Sequence, residues 1–453
     1  MKEEFLHFIW KNSLFEKAEL LTCKGKTLHV IDPGAYNRDS GPDFFSSRIR
    51  LDETEWAGNV EIHINASDWY RHKHHLDHGF DNVILHVVAN YDTEIETASG
   101  HKPDTFVIRW QKEVEERYYG YLNNPKLIAC CDDIKTLPLF SLRHCISRMA
   151  VERLEYKIGR ITEVLRSTNN DWDETLYRLL SRYFGLKVNS EPFYLLSCNL
   201  PLKIIRKHAD NRLQVESLLY GQAGMLEPGV FNSEIYDEYF TALVKEYKVL
   251  RRKYSLKPID PWMWKYHRLR PANFPTIRIS QLAGLLCSGR SLFSMVRECR
   301  SLPVLEDLFM CEASPYWNRH YVFGAYKAGR PKKTGTTFIN LLLINTLIPL
   351  LFLYGKETCN EEYSARATDL LDSIEPEENR LTREWAAAGI TASSALESQG
   401  LIHLRETYCK NRLCLDCQYG SKLISLGKNI VSDDNYLLEE PGKNNDLNDK
   451  ILL

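Results

Sequence analysis

Hydrophobic residues change their spacing several times within the first 110 positions. Between Glu3 and Lys17 they recur at helical spacing, which predicts a helix. KTLHVIDPG predicts a short strand that Pro33 and Gly34 end. DFFSSRIRL and WAGNVEIHI alternate polar and apolar positions on either side of DETE, which predicts a hairpin. DNVILHVVANY is a nearly continuous apolar run, typical of a strand buried on both faces, and DTFVIRW predicts a further strand.

The spacing becomes helical from about Pro138. Segments such as LFSLRHCISRMAVERLEYKIGRITEVL keep their apolar residues three to four positions apart, and short Gly or Pro breaks separate them. We therefore predict an α+β protein in three parts. Residues 1–115 form an α/β domain, residues 138–425 form a mainly helical domain, and residues 426–453 form a polar tail.

One apolar run, Phe338 to Gly355, is long enough to span a bilayer. Asn340, Asn345 and Pro349 interrupt it, and we interpret it as a buried core helix. The start of the chain, MKEEFLHFIWKN, has acidic residues and a short apolar run, which indicates an amphipathic helix and not a signal peptide. We therefore expect no membrane partner, a cytoplasmic location, and reduced thiols for most of the twelve cysteines.

Composition narrows the class of protein without identifying it. The 453 residues suffice for two or three domains, and the 44% hydrophobic and 26% charged content is ordinary for a globular protein. A net charge of −2 gives the whole molecule no strong attraction to nucleic acid, but it does not exclude a local basic patch on the surface.

Two carboxylates lie at the same end of the predicted hairpin. Asp43 begins the first strand and Glu61 lies late on the second, so the turn between them brings both together. Glu61 and His63 share one face of their strand, because side chains alternate with a period of two. Carboxylates at one point are the ligands that Mg²⁺ prefers. The alternative is a simple turn at SGPDF, in which Asp43 caps the backbone locally.

The signature of the PD-(D/E)xK nuclease superfamily is an Asp after Pro, a hairpin and then a Glu-x-Lys triad. The chain resembles it in Pro42-Asp43, the predicted hairpin and Glu61-Ile62-His63. The resemblance implies a restriction-endonuclease-like domain with a small mixed sheet. It also implies that Asp43 and Glu61 are catalytic metal ligands, with Mg²⁺ or Mn²⁺ favoured over Zn²⁺. His63 stands at the place of the Lys, and Glu4 matches an additional acidic residue that some members carry. Because His is neutral at pH 7 unless its pKa is raised, His63 is expected to act as a base or to ligate a softer metal.

The whole chain also resembles an uncharacterised family, domain of unknown function 2851. The stretches that carry the resemblance are SGPDF, GNVEIHINASDWYRHKHHLD, VILHVV, RPANFPTIRISQLAG and YCKNRLCLDCQYG. This resemblance extends over nearly the full length and implies no known activity.

A histidine-rich segment follows the hairpin. It offers metal-ligand types in HKHHLDH, and we predict His74 and Asp77 as further metal ligands, which would also admit Mn²⁺, Fe or Zn²⁺. A solvated loop with incidental histidines is the alternative. His86 lies in an apolar strand, where a core histidine and a functional one are equally compatible with the pattern.

Lys245 to Arg278 is a basic segment with interleaved aromatic residues. Basic residues neutralise phosphates and aromatic faces stack on unpaired bases, so the segment suits a DNA or RNA groove. We predict nucleic-acid contacts for Arg268, Arg270 and Arg278. A basic solvated helix that leads into an aromatic core segment is the alternative reading.

Three cysteines near the C-terminus form a C-x4-C-x2-C motif. The spacing of Cys409, Cys414 and Cys417 predicts a structural metal site that holds either Zn²⁺ or an iron–sulfur cluster. The alternative is three free thiols with no metal. Such sites need four ligands, and the sequence offers His403, Cys311 and Cys359 as candidates for the fourth.

Three functions fit these features. The first is a metal-dependent nuclease-like enzyme that uses Asp43, Glu61 and His63 to hydrolyse nucleic acid. The second is a nucleic-acid-binding or scaffold protein that keeps the fold but has lost catalysis. The third is a metal hydrolase that acts on a small phosphorylated substrate.

Overall fold

The computed structural model describes residues 2–227, 229–231, 237–289, 291–327 and 329–426. The chain forms two compact units. The first comprises residues up to Pro138 and residues from Glu406 onward, and the second comprises Leu139–Arg405. This division differs from the predicted one, because the segment with the three C-terminal cysteines belongs to the first unit and not to the helical one. The predicted tail, residues 426–453, lies outside the described residues except for Leu426.

A mixed six-stranded sheet forms the centre of the first unit. Its strands follow the order β1-β3-β4-β5-β6, with β2 paired to β3 beside this path. The pairs β1–β3, β2–β3 and β3–β4 are antiparallel, whereas β4–β5 and β5–β6 are parallel. The bounds are β1 Leu28–Asp32, β2 Ala35–Tyr36, β3 Phe44–Leu51, β4 Thr54–Asn65, β5 Val83–Asn90 and β6 Asp104–Val107.

The predicted hairpin is present as β3 and β4. Leu51 pairs with Thr54 across a two-residue turn, in which Asp52 has a φ of 49°. The register shifts between Phe44 and Ser47, at the other end of β3, so the strand is irregular next to Asp43. β5 is buried along nearly its whole length, as its continuous apolar run predicts.

Helices cover the sheet of the first unit. Helix α1, Glu3–Lys11, buries Phe5, Phe8 and Trp10 and packs against β4. The parallel connection from β4 to β5 contains the short helix α2, Asp68–Arg71, and two 3-10 turns, His74–Leu76 and His78–Phe80. This connection contains most of the histidine-rich segment. Helix α3, Lys112–Asn123, follows β6.

The second unit is helical in its described residues and has its own hydrophobic core. This agrees with the periodicity of the sequence after Pro138. Its helices are α4 Leu139–Ser167, α5 Trp172–Phe184, α6 Ser190–Asn199, α7 Leu202–Arg206, α8 Arg212–Gln222, α9 Glu238–Tyr254, α10 Pro275–Leu286, α11 Leu292–Glu298, α12 Leu302–Phe309, α13 Thr336–Leu342, α14 Ile348–Glu357, α15 Glu361–Ser373, α16 Arg380–Ala387 and α17 Ala395–His403.

The long apolar run forms one continuous helical stretch, Thr336–Glu357. By length and composition it passes the test for a membrane span, but 72% of its most apolar window is buried inside the protein. A π-helical turn, Leu343–Leu347, precedes Pro349 and accommodates the missing N–H of that residue. Its placement agrees with the predicted core helix.

The C-terminal segment of the first unit ends in helix α18, Gln418–Ser425. A Cβ at Gly420 would lie 2.3 Å from the carbonyl oxygen of Cys414. Only a glycine therefore allows α18 to pack directly on the backbone of the cysteine segment.

Candidate metal centre

The two carboxylates of the hairpin are held together by reciprocal backbone bonds. The backbone N–H of Asp43 donates to Oε2 of Glu61 at 3.0 Å, and the N–H of Ile62 donates to Oδ2 of Asp43 at 2.9 Å. Neighbouring antiparallel strands bring these groups to one end of the sheet, as the sequence predicts. The side chain of Ile62 is fully buried, so Glu61 and His63 lie on the opposite face of β4.

Glu61 is a buried carboxyl group beside two imidazoles. It is 5% exposed, and its Oε1 lies 3.2 Å from Nε2 of His74 and 3.6 Å from Nε2 of His63. Burial raises the pKa of Glu61 to about 9, and the neighbouring charge of Asp43 adds to the rise. A buried carboxylate of this kind is stabilised in its charged form when a cation lies next to it.

His63 lies between two other histidines. Its Nε2 is 3.1 Å from Nδ1 of His72, and its Nδ1 is hydrogen-bonded to Nε2 of His86 at 2.9 Å. Burial lowers the pKa of His63 to about 2 and that of His86 to about 3, so both rings are neutral at pH 7. If Nδ1 of His63 donates to His86, the lone pair of its Nε2 faces Glu61 and His72. A ligating histidine usually makes such a second hydrogen bond.

Apolar rings desolvate the histidines. Trp69 is fully buried, and its ring centroid lies 5.3 Å from that of His74 and 5.5 Å from that of His86. Phe80 contacts the other side of His74, at 3.9 Å between ring centroids. Burial lowers the pKa of His74, as it does for His72. The imidazoles are therefore kept neutral, which is the state that ligates metals.

His63, His72 and His74 form a group that fits a metal ion. Their ligand atoms all lie within 4.8 Å of one another. Among the described residues, these three form the group of potential metal ligands that meets this distance. Nε2 of His74 and Nδ1 of His86 are buried without a hydrogen-bond partner. Oε1 of Glu61 lies beside this group through its contacts with His63 and His74. Three imidazoles suit a borderline transition metal.

His7 adds a further polar group on the side of Asp43. Its Nε2 lies 3.3 Å from Oδ2 of Asp43, and its Nδ1 lies 3.3 Å from the hydroxyl of Tyr36. Burial alone would lower the pKa of His7, but the contact with Asp43 outweighs it and the pKa is raised. The sequence pattern does not single out His7, because a lone histidine on an amphipathic helix has no spacing that marks it.

A cleft of about 290 Å³ opens beside His7 in the first unit. Nζ of Lys11 lies 5.4 Å from the ring centroid of Tyr36, and the guanidinium carbon of Arg38 lies 5.8 Å from it. The cleft thus combines cations with an aromatic face. It is lined by Glu4, His7, Phe8, Lys11, Tyr36, Arg38, Tyr118, Arg412, Leu413, Leu415 and Asp416.

Two predicted acidic residues lie apart from the histidine group. Asp77 is exposed, and its carboxylate accepts a hydrogen bond from the N–H of Gly79, so it caps a 3-10 turn. Glu4 lines the cleft. His72, which the sequence placed in the histidine-rich segment without assigning it a role, lies in the group instead. The irregular turns after β4 determine which residues of this segment lie in the group. Hydrophobic periodicity does not predict such turns.

The three arginines of the basic aromatic segment differ in exposure. Arg268 and Arg270 are exposed, as a nucleic-acid contact requires. Arg278 is 7% exposed; its guanidinium donates to Oδ1 of Asn273 and Oε1 of Gln281 and lies over the ring of Phe338. The prediction of a nucleic-acid contact for Arg278 is therefore corrected, because that side chain serves the core of the helical unit. Tyr247 and Trp264 also lie in this core.

The candidates for a fourth ligand of the cysteine motif all lie in the helical unit. Nε2 of His403 contacts Glu152 at 3.2 Å, the thiol of Cys311 contacts Thr334, and Cys359 is exposed. The three cysteines of the motif belong to the first unit.

Fold and site together define a protein with a mixed α/β unit, a helical unit and a histidine-rich group that can hold a metal ion. A family model described as "Protein of unknown function (DUF2851)" matches residues 3–380, and the chain belongs to that family. No curated protein and no solved structure matches the chain.

Proposed function

We propose that the first unit is a metal-dependent phosphodiester hydrolase of the nuclease type. The observation that carries this proposal is the group of imidazoles from His63, His72 and His74, with Oε1 of Glu61 at 3.2 Å from His74 and 3.6 Å from His63. Asp43 lies next to Glu61 through the reciprocal backbone bonds of the hairpin. A helix, an antiparallel hairpin and a parallel crossover strand are also the elements that the resemblance to PD-(D/E)xK nucleases implies.

The donor set favours a nitrogen-binding metal. Mg²⁺ takes oxygen ligands, whereas imidazole suits Zn²⁺, Cu, Fe or Ni. The three histidines therefore support Fe or Zn²⁺ over the Mg²⁺ that two carboxylates alone would suggest, and Mn²⁺ is retained as a candidate through the carboxylate of Glu61. Such a cation, when bound, lowers the pKa of a water molecule and polarises a phosphoryl oxygen.

The residues of the chain have separate roles in this proposal. Glu61, His63, His72 and His74 would hold the metal. Asp43 would accept the proton of the attacking water, and His7, which lines the cleft, lies 3.3 Å from its carboxylate. His63 is neutral and therefore provides a lone pair instead of the positive charge of a lysine.

The cleft beside His7 supports a phosphate-bearing substrate. Lys11 and Arg38 are placed to neutralise phosphate oxygens, and Tyr36 offers a ring on which a base can stack. DNA or RNA is the proposed substrate, and Arg268 and Arg270 are exposed candidates for further contacts. We also propose a cytoplasmic location, because the one candidate spanning helix in the described residues is mostly buried.

Two specific observations favour the other functions. The neutral His63 at the place of the lysine favours a protein that binds nucleic acid without cutting it. The volume of the cleft, about 290 Å³, favours a small phosphorylated substrate over a polymer. A structural metal at Cys409, Cys414 and Cys417, as zinc or an iron–sulfur cluster, is part of the same proposal.

The test is hydrolysis by the full chain loaded with Mn²⁺ or Zn²⁺. Single- and double-stranded DNA, RNA and a small aryl phosphodiester are offered as separate substrates. Glu61→Gln and His74→Ala are each expected to lower the rate at least about 100-fold, the size of effect that loss of a metal-activating group produces. His78→Ala is the matched control, because His78 lies in the same segment but is exposed and paired with Asp81.

The outcomes separate the three functions. Cleavage of polynucleotides that Glu61→Gln abolishes supports the nuclease. Cleavage of the small diester alone supports the small-substrate hydrolase. Salt-dependent binding of nucleic acid without cleavage supports the inactive scaffold. Absence of both activity and binding with every metal would reject the proposal.

A further inference from the structure

The cysteine motif of the first unit is locally well ordered. The N–H of Cys417 donates to the carbonyl of Leu413, and the carbonyl of Cys417 accepts from the N–H of Ser421 in α18. Cys414 and Cys417 are buried. Gly420 allows α18 to pack on the carbonyl of Cys414. The turn that presents Cys414 and Cys417 is therefore fixed by backbone contacts.

A fourth cysteine is tied to this motif by hydrogen bonds. Arg412, between Cys409 and Cys414, donates from Nη2 to the carbonyl oxygens of Asn124 and Lys126 at 2.5 and 2.9 Å. The side chain of Asn124 donates in turn to the carbonyl of Ala129 at 2.8 Å, one residue before Cys130. Arg412 thus anchors the loop that contains Cys130 to the segment that contains the other cysteines.

Cys130 has a fixed and buried position in that loop. Its carbonyl accepts hydrogen bonds from the N–H groups of Asp133 and Ile134, at 3.1 and 2.9 Å, and its side chain is buried. The next residue, Cys131, is less buried, and its thiol contacts Oδ1 of Asp132. Of the two adjacent cysteines, Cys130 is therefore the one that faces the interior.

The electrostatics of the thiols agree with this proximity. Burial raises the pKa of Cys130, and the charges of Cys417, Cys409 and Cys414 raise it further. Burial also raises the pKa of Cys414 to about 11, with a contribution from Cys417.

We propose that Cys130, Cys409, Cys414 and Cys417 together bind one thiophilic metal centre, either Zn²⁺ or an iron–sulfur cluster. Four thiolates are the full ligand set of both. This inference rests on the structural metal of the proposed function and is independent of the hydrolase activity.

The position of these ligands in the chain gives the centre a structural role. Cys130 precedes the helical unit Leu139–Arg405, and the other three cysteines follow it. One metal centre would therefore link the two chain segments of the first unit, which are separated by more than 250 residues. A crosslink that closes so long a loop removes much conformational freedom from the unfolded chain.

The experiment compares metal content and spectra of the anaerobically purified full chain. Zinc without visible absorption, or iron with inorganic sulfide and a broad visible band, identifies which centre is bound. Cys130→Ser and Cys414→Ser are each expected to lose this metal. Cys131→Ser is the matched control and is expected to keep it. Glu61→Gln is expected to keep it too, because that variant affects only the histidine site.

Alkylation of the unaltered protein tests the same point without relying on the folding of a variant. Cys130, Cys409, Cys414 and Cys417 are expected to be protected together and to react together, at least about ten times faster, after chelation. Cys131 is expected to react at the same rate before and after. Metal retained by Cys130→Ser with an unchanged spectrum, or chelation that exposes the other three thiols but not Cys130, would overturn the proposal.

Discussion

His63 shows how one residue decides the chemistry that its neighbours can support. The resemblance to nucleases would place a lysine there, whose ammonium group is positive and has no lone pair. In the structure the position is 1% exposed and surrounded by His72, His74 and His86. A positive charge there would be poorly solvated, whereas a neutral imidazole can ligate a metal.

This difference gives a prediction for His63→Lys. We expect the substitution to weaken Mn²⁺ or Zn²⁺ binding by at least about 100-fold, because loss of a ligand exceeds the 10–100-fold effect of a second-shell change. Isothermal titration of the metal-free protein measures it. His63→Gln, an uncharged variant, is expected to show the same loss, and His78→Lys is expected to show none. Full metal binding with increased hydrolysis by His63→Lys would contradict the assignment of His63 as a ligand.

Lys157 is a buried cation in the helical unit. Its Nζ donates to the side chain of Gln399 at 2.6 Å and to the carbonyl of Ile344 at 3.1 Å. Burial lowers the pKa of Lys157 to about 7, and the nearby charge of Arg153 contributes. Between pH 7 and the ordinary lysine pKa near 10.4, the unfolded chain binds the proton and the folded chain does not.

The folded state therefore gains stability from this group as pH rises above about 7, by up to about 1.4 kcal/mol per pH unit. Below pH 7 both states are protonated and the cost of burying the charge is constant. We expect Lys157→Met to flatten the rise in the free energy of unfolding between pH 7 and 9. Urea unfolding of both proteins at three pH values measures this, and equal slopes would show that Lys157 stays charged in the fold.

At the residue scale, the sequence predicted the relative positions of some residues and not of others. Asp43, Glu61 and His63 follow from the hairpin, because strand periodicity and antiparallel pairing fix their relative positions. His72, to which the sequence assigned no role, lies in the histidine group and Asp77 does not, because the irregular turns after β4 are set by local bonds such as the cap at Gly79. His7 lies next to Asp43 only through tertiary packing, and the loop that contains Cys130 is tied to the cysteine motif only through Arg412.

At the scale of elements, the hairpin and the continuous apolar strand were predictable because their hydrophobic patterns are strong. The crossover between β4 and β5 was not, because its short helix and two 3-10 turns have no long periodicity. The assignment of Arg278 to a surface failed for a related reason. Helix α10 is buried almost all around, so the polar character of one residue gives no indication of its exposure.

Two helical glycines provide a matched prediction about α18. A Cβ added at Gly420 would clash with the backbone of Cys414. A Cβ added at Gly120 in α3 would have no atom within 4 Å. We expect Gly420→Ala to destabilise the first unit by about 1–3 kcal/mol through overpacking. Gly120→Ala is expected to stabilise it by up to about 1 kcal/mol through helix propensity. Thermal unfolding of both variants measures this, and equal shifts would contradict the close packing of α18.

At the scale of the molecule, the predicted boundary near residue 138 agrees with the start of the helical unit, but the end of that unit does not follow from composition. The segment after Glu406 returns to the first unit. Helical spacing continues through residues 395–425, so the hydrophobic pattern does not mark the change. Contacts such as those of Arg412 with Asn124 and Lys126 decide it, and they join positions more than 280 residues apart.

Because each unit has its own buried core, we expect thermal unfolding of the full chain in two steps. Mn²⁺ at about 100 times its Kd stabilises the unit that binds it by about 2.7 kcal/mol and should raise one Tm only. Glu61→Gln is expected to abolish that rise, and Lys157→Met is expected to shift only the other transition at pH 7. Calorimetry with and without Mn²⁺ measures both effects. One transition that the metal and both substitutions all move would show that the two units unfold as a single cooperative structure.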